Sequence, residues 1–393
     1  MSFVREPGSS MRRPLLWACL CAGLVFAWQT LTVAANYRGD WSALFYTGSW
    51  IRTSALLEEE ETYRIPNDRG YDGQFYHLVA HDPFLRHDAV ASVDNPRLRW
   101  RRILLPLVAW TLALGQSEYI DSAYAATVLG FVLLGAFWLA TYCVRTSLHP
   151  AMSLAFPLIP AVLVSIDRFT IDVALAALCV GLLVEKGWRL FLILALAPLA
   201  RETGVILPLA FGVWSLSRRK YRPAGAAAGA LVPYALWLAY LYGRTSPDLT
   251  VFASWIPFVG LGYAVVHPPV GQFASSWLRA AGILDYVALL GICAAVLLAA
   301  WAAVQRPRDL AAVAAALFTG TVVAFTFQMQ AWDGAYSFAR TMSPVLLFLA
   351  LYGLAQRSWI HILPMALTLP RLLFQLSPQW RGILAFCRSE LGL

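Results

Sequence analysis

The sequence predicts an all-α fold, a polytopic bundle of about 10–11 transmembrane helices with a long external first loop that contains interfacial helices. Hydrophobic residues make up 59% of the 393 residues and charged residues only 13%, about half the charged fraction of a soluble domain. The apolar residues occur in blocks of roughly 15–25, the length that crosses a bilayer core of about 30 Å. A polar stretch of roughly 80 residues interrupts these blocks after the first one.

Three regions follow from this pattern: an N-terminal segment with the first span (1–35), the external loop (36–119) and the helical bundle (120–393). The first apolar block is too long for a signal-peptide core and lacks a clear small-residue cleavage site, so we expect it to be retained. The predicted spans are 14–35, 120–143, 150–166, 171–185, 188–200, 203–217, 224–242, 283–303, 310–328 and 341–356, with 359–374 as an eleventh.

The charges of the connections predict the orientation of the chain. Arg12 and Arg13 precede the first span, and alternate later connections are basic, so we expect a cytoplasmic N-terminus and a multi-pass protein of the cell membrane. Nearly all acidic residues then lie on the outer, or periplasmic, face. This sorting requires that 103–115 does not cross the bilayer. Its roughly 13 apolar residues favour a half-inserted helix.

Composition also excludes several functions. The six cysteines all lie in or beside apolar segments, so no disulfide framework is indicated. The net charge of +8 is spread over short turns, which does not favour nucleic acid as a partner; contacts with membrane lipids account for it better. The sequence shows no nucleotide-binding loop and no metal-ligand cluster, so we expect no cofactor.

The first loop is predicted to contain two helices. An apolar face of helical period predicts an amphipathic helix over 41–57, with Asp40 as its N-cap. A second helix is predicted over 73–81, ended by Pro83 because the residue before a proline disfavours helical backbone. His77 and His81 lie four residues apart on it, but the Glu of a His-Glu-x-x-His metalloprotease motif is missing, so we interpret them as headgroup contacts without a metal.

The strongest candidate for a catalytic segment is Gly70-Tyr71-Asp72-Gly73-Gln74-Phe75-Tyr76-His77. Asp72 stands at an N-cap position, so its carboxylate either caps the helix or acts on a substrate. Glycines on both sides would let the backbone approach a ligand closely. The aromatic rings would offer flat surfaces to a sugar.

Charged residues at the ends of other apolar segments predict a polar cavity open to the outer side, because charges at membrane depth pair with one another or face water. The basic group at 97–102 is either a snorkelling collar or a phosphate site. The basic group and the charged residues at the ends of the apolar segments together are Arg97, Arg99, Arg101, Arg102, Asp167, Arg168, Asp172, Arg201, Glu202, Asp333 and Arg340.

The arrangement resembles the GT-C superfamily of integral-membrane glycosyltransferases, with a first span, a long external loop and an acid in that loop. Tyr71-Asp72-Gly73-Gln74-Phe75 is distantly similar to the Trp-Asp-Ala-x-Tyr/Phe pattern of PIG-V-type mannosyltransferases. The segment Arg101-Arg102-Ile103-Leu104-Leu105-Pro106-Leu107 resembles the half-helix after the first loop, and Ala200-Arg201-Glu202-Thr203-Gly204 resembles a charged turn. No paired-acid motif lies near Asp40, so the resemblance leaves open whether Asp40 or Asp72 is the base.

The resemblance implies transfer of a sugar from a polyprenyl-phosphate donor to a glycan or lipid-linked acceptor of the cell envelope, with inversion and an Asp general base. It implies Asp72 as the base, with Asp40 in reserve. It implies a substrate-binding set of Tyr71, Gln74, Tyr76, Arg101, Arg102, Arg168, Arg201, Glu202, Asp333 and Arg340.

Three other functions stay open. A glycan polymerase or ligase would use a lipid-diphosphate donor and depend more on arginines than on an acid of the first loop. A transporter or flippase would show inverted repeats and helices broken at the bilayer midplane, and the sequence shows no such repeat. A scaffold without chemistry is the fourth interpretation.

Overall fold

The computed structural model describes residues 9–50, 54–57, 60–86, 88–247, 252–267, 276–326, 332 and 334–391. This part of the chain is almost entirely helical, which confirms the predicted all-α class. Its α-helices are α1 (Ser9–Tyr37), α2 (Gly73–His81), α3 (Pro96–Arg101), α4 (Leu104–Leu112), α5 (Ile120–Arg145), α6 (Pro160–Arg168), α7 (Asp172–Val184), α8 (Gly187–Ala200), α9 (Ile206–Ser217), α10 (Tyr221–Gly229), α11 (Val232–Tyr242), α12 (Val259–Val266), α13 (Ser276–Gln305), α14 (Leu310–Ala324), α15 (Ala335–Gln356), α16 (Leu363–Gln375) and α17 (Ser377–Leu391).

Five helical segments are long and apolar enough to cross a membrane, so the chain is a membrane protein by the length and composition of its helices. They are Arg12–Tyr37, Ser117–Arg145, Tyr221–Tyr242, Trp277–Gln305 and Ala335–Gln356. Four shorter apolar helices of 10–17 residues accompany them. Length and composition identify five spans, or six if one bent pair of helices counts as a single span, and the shorter apolar helices are not included in that number. The total of 10–11 spans therefore stays a prediction.

The centre of the bundle consists of α7 and α15. Nearly every side chain of α7 is buried, and 89% of the apolar window of α15 is buried inside the protein. Helix α15 packs against α6, α7, α13, α14 and α16. A charge on either helix is therefore surrounded by protein and needs a partner there.

Two predicted spans are interrupted. The span predicted at 150–166 is a 3-10 helix, Pro150–Leu158, followed by α6 at an angle of 61°. Pro160 occupies the first turn of α6, where the missing N–H of proline is tolerated. The span predicted at 224–242 is divided into α10 and α11, which together remain long enough to cross.

The prediction of an amphipathic helix over 41–57 is wrong. A 3-10 helix, Trp41–Phe45, ends at Tyr46, whose backbone is left-handed. The chain then forms a two-residue strand, Thr47–Gly48, paired in parallel with Arg64–Ile65. Leu44 and Phe45, two of the apolar residues that suggested a membrane-surface helix, are buried inside the protein instead, and Phe45 packs against Tyr124 and Phe169.

The second half of the loop follows the prediction more closely. Helix α2 spans the predicted residues 73–81. Helix α4 has nine residues, about 13.5 Å at 1.5 Å per residue, which is too short to cross a bilayer core of about 30 Å. It packs against α2, α5 and α8, and its half-inserted position in the membrane stays a prediction. Helix α17 was not predicted.

Candidate active site

A cavity of about 740 Å³ lies between the first loop and the ends of several bundle helices. Loop residues form one side, and the turn between α8 and α9, together with α14 and α15, forms the other. Its walls consist of Arg69, Gly70, Tyr71, Asp72, Gln74, Phe75, Asp94, Leu98, Arg99, Arg101, Arg102, Arg201, Glu202, Thr203, Ile206, Phe252, Ala253, Gly320, Thr321, Ala324, Phe325, Ser337, Arg340 and Thr341.

The cavity carries an excess of positive charge. Six arginines line it against three carboxylates, those of Asp72, Asp94 and Glu202. Low-dielectric walls strengthen such a field, because solvent screens it less than at an open surface. A negatively charged ligand is therefore the occupant that this lining favours.

Asp72 does not cap α2. Its side chain makes no capping hydrogen bond and is held between two arginines from opposite sides of the cavity. Oδ1 lies 2.9 Å from Nη2 of Arg99, and Oδ2 accepts a hydrogen bond of 2.5 Å from Nη2 of Arg340. The capping interpretation of Asp72 is thus wrong, and the carboxylate joins the first loop to α15.

The glycines around Asp72 serve close packing of the protein itself. A Cβ atom on Gly73 would lie 2.3 Å from the carbonyl oxygen of Arg168 and 2.7 Å from that of Phe45. Gly70 has a φ of +80°, which glycine adopts most readily. The expectation that Gly73 makes room for a ligand is therefore wrong.

Gln74 orders the loop beside Asp72. Its Oε1 accepts from the backbone N–H of Gly48 at 3.1 Å, and its Nε2 donates to the carbonyl of Arg69 at 3.1 Å. Although Gln74 lines the cavity, both ends of its amide are used within the protein. Each end of the amide keeps one further hydrogen-bonding position, so its predicted substrate contact stays a prediction.

Arg99 is fixed by a second carboxylate and by an aromatic ring. Nε and Nη2 donate to the two oxygens of Asp94 at 2.9 and 2.7 Å. Its guanidinium lies 4.6 Å from the ring centre of Phe75, within cation–π range. Arg99 therefore bridges Asp94 and Asp72 in a single, well-defined position.

Arg102 and Glu202 form a second bridge across the cavity. Nε and Nη2 of Arg102 donate to the carboxylate at 2.7 and 2.5 Å, the fork geometry that favours Arg over Lys. Nη1 donates to the hydroxyl of Tyr76 at 3.0 Å. Tyr76 is buried and is not among the lining residues, so it supports Arg102 instead of facing a substrate.

The inner end of the cavity belongs to α7, α15 and the turn before α9. Arg201 forms an ion pair with Asp172 and donates from Nη2 to the hydroxyl of Thr341 at 3.1 Å. Arg340 also approaches Asp172, at 3.7 Å. Nη1 of Arg340 and Nε of Arg201 have no hydrogen-bond partner among the described residues. These two arginines therefore retain donor capacity beyond their ion pairs.

One wall of the cavity is apolar. Phe252, Ala324 and Phe325 lie there beside the polar residues already described. A cavity with a cationic side and an apolar side fits an amphipathic ligand, such as a lipid with an anionic headgroup, better than a simple ion.

Arg168 lies behind the cavity lining. Its guanidinium is 3.4 Å from the ring centre of Tyr46 and 5.3 Å from that of Tyr71, and Nε pairs with Asp167 at 3.1 Å. Tyr336 also donates its hydroxyl proton to Asp167. Arg168 thus supports Tyr71 from the protein side, whereas it was predicted to bind phosphate directly.

Asp40, the predicted reserve base, does not line the cavity. Asp40 caps the 3-10 helix after α1: its Oδ1 accepts from the backbone N–H and the hydroxyl of Ser42 at 2.9 and 2.7 Å. This agrees with its predicted capping role. Asp333 lies outside the described residues.

The electrostatic surroundings keep Asp72 ionised. Burial alone would raise the pKa of its carboxyl, but the guanidinium groups of Arg99 and Arg340 outweigh it together and hold the pKa well below its ordinary value. With both arginines in place, Asp72 is a stable anion and a weak base.

Sequence reasoning missed two charged lining residues, Asp94 and Arg69. Asp94 precedes α3 by two positions and carried no motif, and only the fold brings its carboxylate to Arg99. Arg69 is exposed, lies 6.0 Å from the ring centre of Trp50 and has no carboxylate partner among the described residues. Its place beside Gly70, next to the Asp72 motif, was the one available signal.

Comparison of the chain with protein-family models, with curated proteins and with solved structures finds no match.

Proposed function

We propose that the chain is a membrane glycosyltransferase that moves a sugar from a polyprenyl-phosphate donor to a glycan or lipid-linked acceptor of the cell envelope. The observation that supports this most directly is the position of Asp72, an ionised carboxylate at the wall of a cavity lined by six arginines. A transferase of this kind needs both a proton acceptor and cations for the departing lipid phosphate.

The reaction assigns one role to each side of the cavity. The acceptor hydroxyl oxygen attacks the anomeric carbon of the donor, and the bond from that carbon to the phosphate oxygen breaks with inversion. The hydroxyl proton passes to Asp72, and the arginines stabilise the charge of the leaving lipid phosphate. The apolar wall with Phe252 and Phe325 would contact the start of the prenyl chain.

Donor binding would also activate the base. Arg99 and Arg340, which keep the pKa of Asp72 low in the free protein, are donors of the type that binds phosphate. A phosphate in the cavity competes with Asp72 for them, and each weakened ion pair raises the affinity of Asp72 for a proton. Asp72 would thus become an effective base only when the donor is present.

Orientation in the membrane follows from the charge pattern. We place the protein in the cell membrane as a multi-pass protein with a cytoplasmic N-terminus, and the cavity on the outer or periplasmic face. The lipid donor then reaches the cavity from the bilayer, so the site needs no nucleotide-binding loop.

A direct assay tests this function. The purified chain in lipid nanodiscs is incubated with a panel of polyprenyl-phosphate hexoses and pentoses and with cell-envelope glycan acceptors, and released polyprenyl phosphate is quantified by mass spectrometry. We expect release with at least one donor. A parallel comparison of lipid-linked and surface glycans in cells with and without the gene identifies the sugar, and unchanged glycans together with no release would refute the proposal.

One observation favours a second function, a glycan polymerase or ligase with a lipid-diphosphate donor. The six arginines provide more positive charge than one phosphate requires. Supplying monophosphate and diphosphate donors in the same assay separates the two, since a polymerase or ligase would act only on the diphosphate.

A further inference from the structure

A second cluster of polar residues lies on α2, away from the cavity lining. It consists of Glu60 from the loop before α2, His77 and His81 on α2, and Asp121 in the first turn of α5. One potential ligand atom from each residue lies within 4.8 Å of all the others. None of these four residues lines the arginine-rich cavity.

Two of the distances in the cluster are close to those around a small tetrahedral cation. Nε2 of His77 is 2.7 Å from Oδ1 of Asp121 and 3.2 Å from Nε2 of His81, which is 3.4 Å from Oε2 of Glu60. A tetrahedral Zn²⁺ with bonds of about 2.0–2.1 Å holds its ligand atoms roughly 3.3 Å apart. Small side-chain shifts, among them a longer distance between His77 and Asp121, would bring the four atoms around such an ion.

His77 is at the centre of the cluster, because Asp121 and His81 both approach its Nε2. Oδ1 of Asp121 lies 2.7 Å from this nitrogen, within reach of an ion pair or a hydrogen bond. Nε2 of His81 faces the nitrogen of another imidazole on one side and a carboxylate oxygen on the other. Imidazole nitrogens and carboxylate oxygens are the atoms that bind Zn²⁺ in such sites, so the four side chains supply a complete set of ligands.

Packing fixes both imidazole rings. The ring of His77 is fully buried and stacks on Phe45 with 3.9 Å between ring centres. The ring of His81 stands edge-on to that of His77, with 4.8 Å between ring centres.

We propose that Glu60, His77, His81 and Asp121 bind one divalent transition-metal ion of the zinc type, which joins α2 to α5 and to the preceding loop. The i, i+4 spacing of the histidines alone had favoured headgroup contacts, and the two carboxylates that complete the set come from distant parts of the sequence. Four protein ligands make a closed site, which is typical of structural zinc. The ion would therefore fix α2, whose N-terminal end carries Asp72.

Metal content tests the proposal independently of any enzyme activity. The full chain is purified in detergent with a tag that lacks histidine, incubated with excess Zn²⁺, desalted and measured by inductively coupled plasma mass spectrometry. We expect about one zinc per chain in the wild type. Replacement with Co²⁺ should give the visible absorption bands of a tetrahedral cobalt site.

Variants assign the ion to these side chains. Even an outer-shell partner of a ligand contributes 10- to 100-fold to metal affinity, so removing a ligand should weaken binding by at least about 10²-fold. His81→Ala and Glu60→Gln should each leave less than about a tenth of the zinc, whereas the exposed His267→Ala control should keep it. Glu60→Gln alters a partly exposed side chain, so it remains informative if His81→Ala does not fold. Wild-type protein without bound zinc, or equal zinc in Glu60→Gln, would overturn the proposal.

Discussion

Replacing Asp72 with Asn separates a catalytic carboxylate from a structural one, provided that Asp94→Asn is measured beside it. Asp72 makes one contact with Arg99 and one with Arg340, and Asp94 makes two with Arg99. The two substitutions therefore affect the same number of contacts with arginines in the same cavity. Only Asp72 is proposed to accept a proton.

The expected loss of stability follows from these contacts. Two hydrogen bonds to charged groups are worth about 3–6 kcal/mol together, and the neutral amide oxygen of Asn recovers about 1 kcal/mol. Arg99 keeps Asp94 and Arg340 keeps Asp172 as a partner, so neither cation is stranded. We expect Asp72→Asn to lower the free energy of unfolding by about 2–5 kcal/mol, and Asp94→Asn by a similar amount.

Activity should separate the two variants. Transfer is measured per folded molecule by mass spectrometry, and the folded fraction by tryptophan fluorescence during heating in detergent. The base model predicts that Asp72→Asn loses at least about 10²-fold in transfer rate, whereas Asp94→Asn loses less than about 10-fold. Equal losses in both variants would show that Asp72 only holds the arginines, and near-normal transfer by Asp72→Asn would remove it from the mechanism.

Four further predictions test other parts of the site and fold. Arg69→Gln should weaken donor binding by about 10- to 150-fold, which corresponds to one charge-assisted hydrogen bond of about 1.5–3 kcal/mol. It should leave the unfolding temperature unchanged, because Arg69 has no carboxylate partner among the described residues. A large drop in unfolding temperature would contradict this. Burial alone would raise the pKa of Glu202, but Arg102 outweighs it and lowers the pKa from 4.5 to about 2. This ion pair therefore stabilises the fold fully above about pH 4.5 and loses its effect as the pH falls towards 2. The unfolding temperature of the wild type should fall across that window, and that of Glu202→Gln should fall less. Gly73→Ala should destabilise the protein by about 1–3 kcal/mol through overpacking against the carbonyls of Arg168 and Phe45, whereas Gly130→Ala in α5, with nothing within 4 Å, should be neutral or stabilising. In a cysteine-free background, cysteines at the exposed positions Asn67 and Ser246 should react in intact cells with a membrane-impermeant thiol reagent, and one at the exposed position Arg219 should not. Reaction at position 219 together with protection at 246 would mean that the 103–115 segment crosses the membrane.

The sequence was most informative where local chemistry decides structure. Helix α2 was predicted to the residue, and Pro83 accounts for where it ends. Its start was predicted correctly although Asp72, the expected cap, makes no capping hydrogen bond. The helix expected over 41–57 failed because apolar periodicity does not reveal what covers the apolar face. Phe45 meets Tyr124 and Phe169, more than 75 residues later in the chain, and the left-handed backbone at Tyr46 ends the helix.

Side-chain pairing could not be predicted in the same way. Arg201, Glu202 and Arg340 were correctly expected near a polar cavity, because charges in apolar surroundings are rarely without a role. Which carboxylate each arginine contacts depends on the packing of helices distant in sequence. Tyr76 and Arg168 carry suitable chemical groups, but the fold turns both behind the lining, towards Arg102 and Asp167.

The bond between Asp72 and Arg340 joins residues that are 268 positions apart, and this separation affects how the protein is made. At about 5–20 residues per second, a ribosome needs roughly 15–50 s to reach Arg340 after Asp72 has been added. During that time Oδ2 of Asp72 lacks its partner Arg340. Arg99 alone then has to balance the negative charges of both Asp72 and Asp94. The cavity is completed only when α15, the most buried of the candidate spans, enters the bundle, so any chain that ends before α15 lacks the site regardless of how well its first loop has folded.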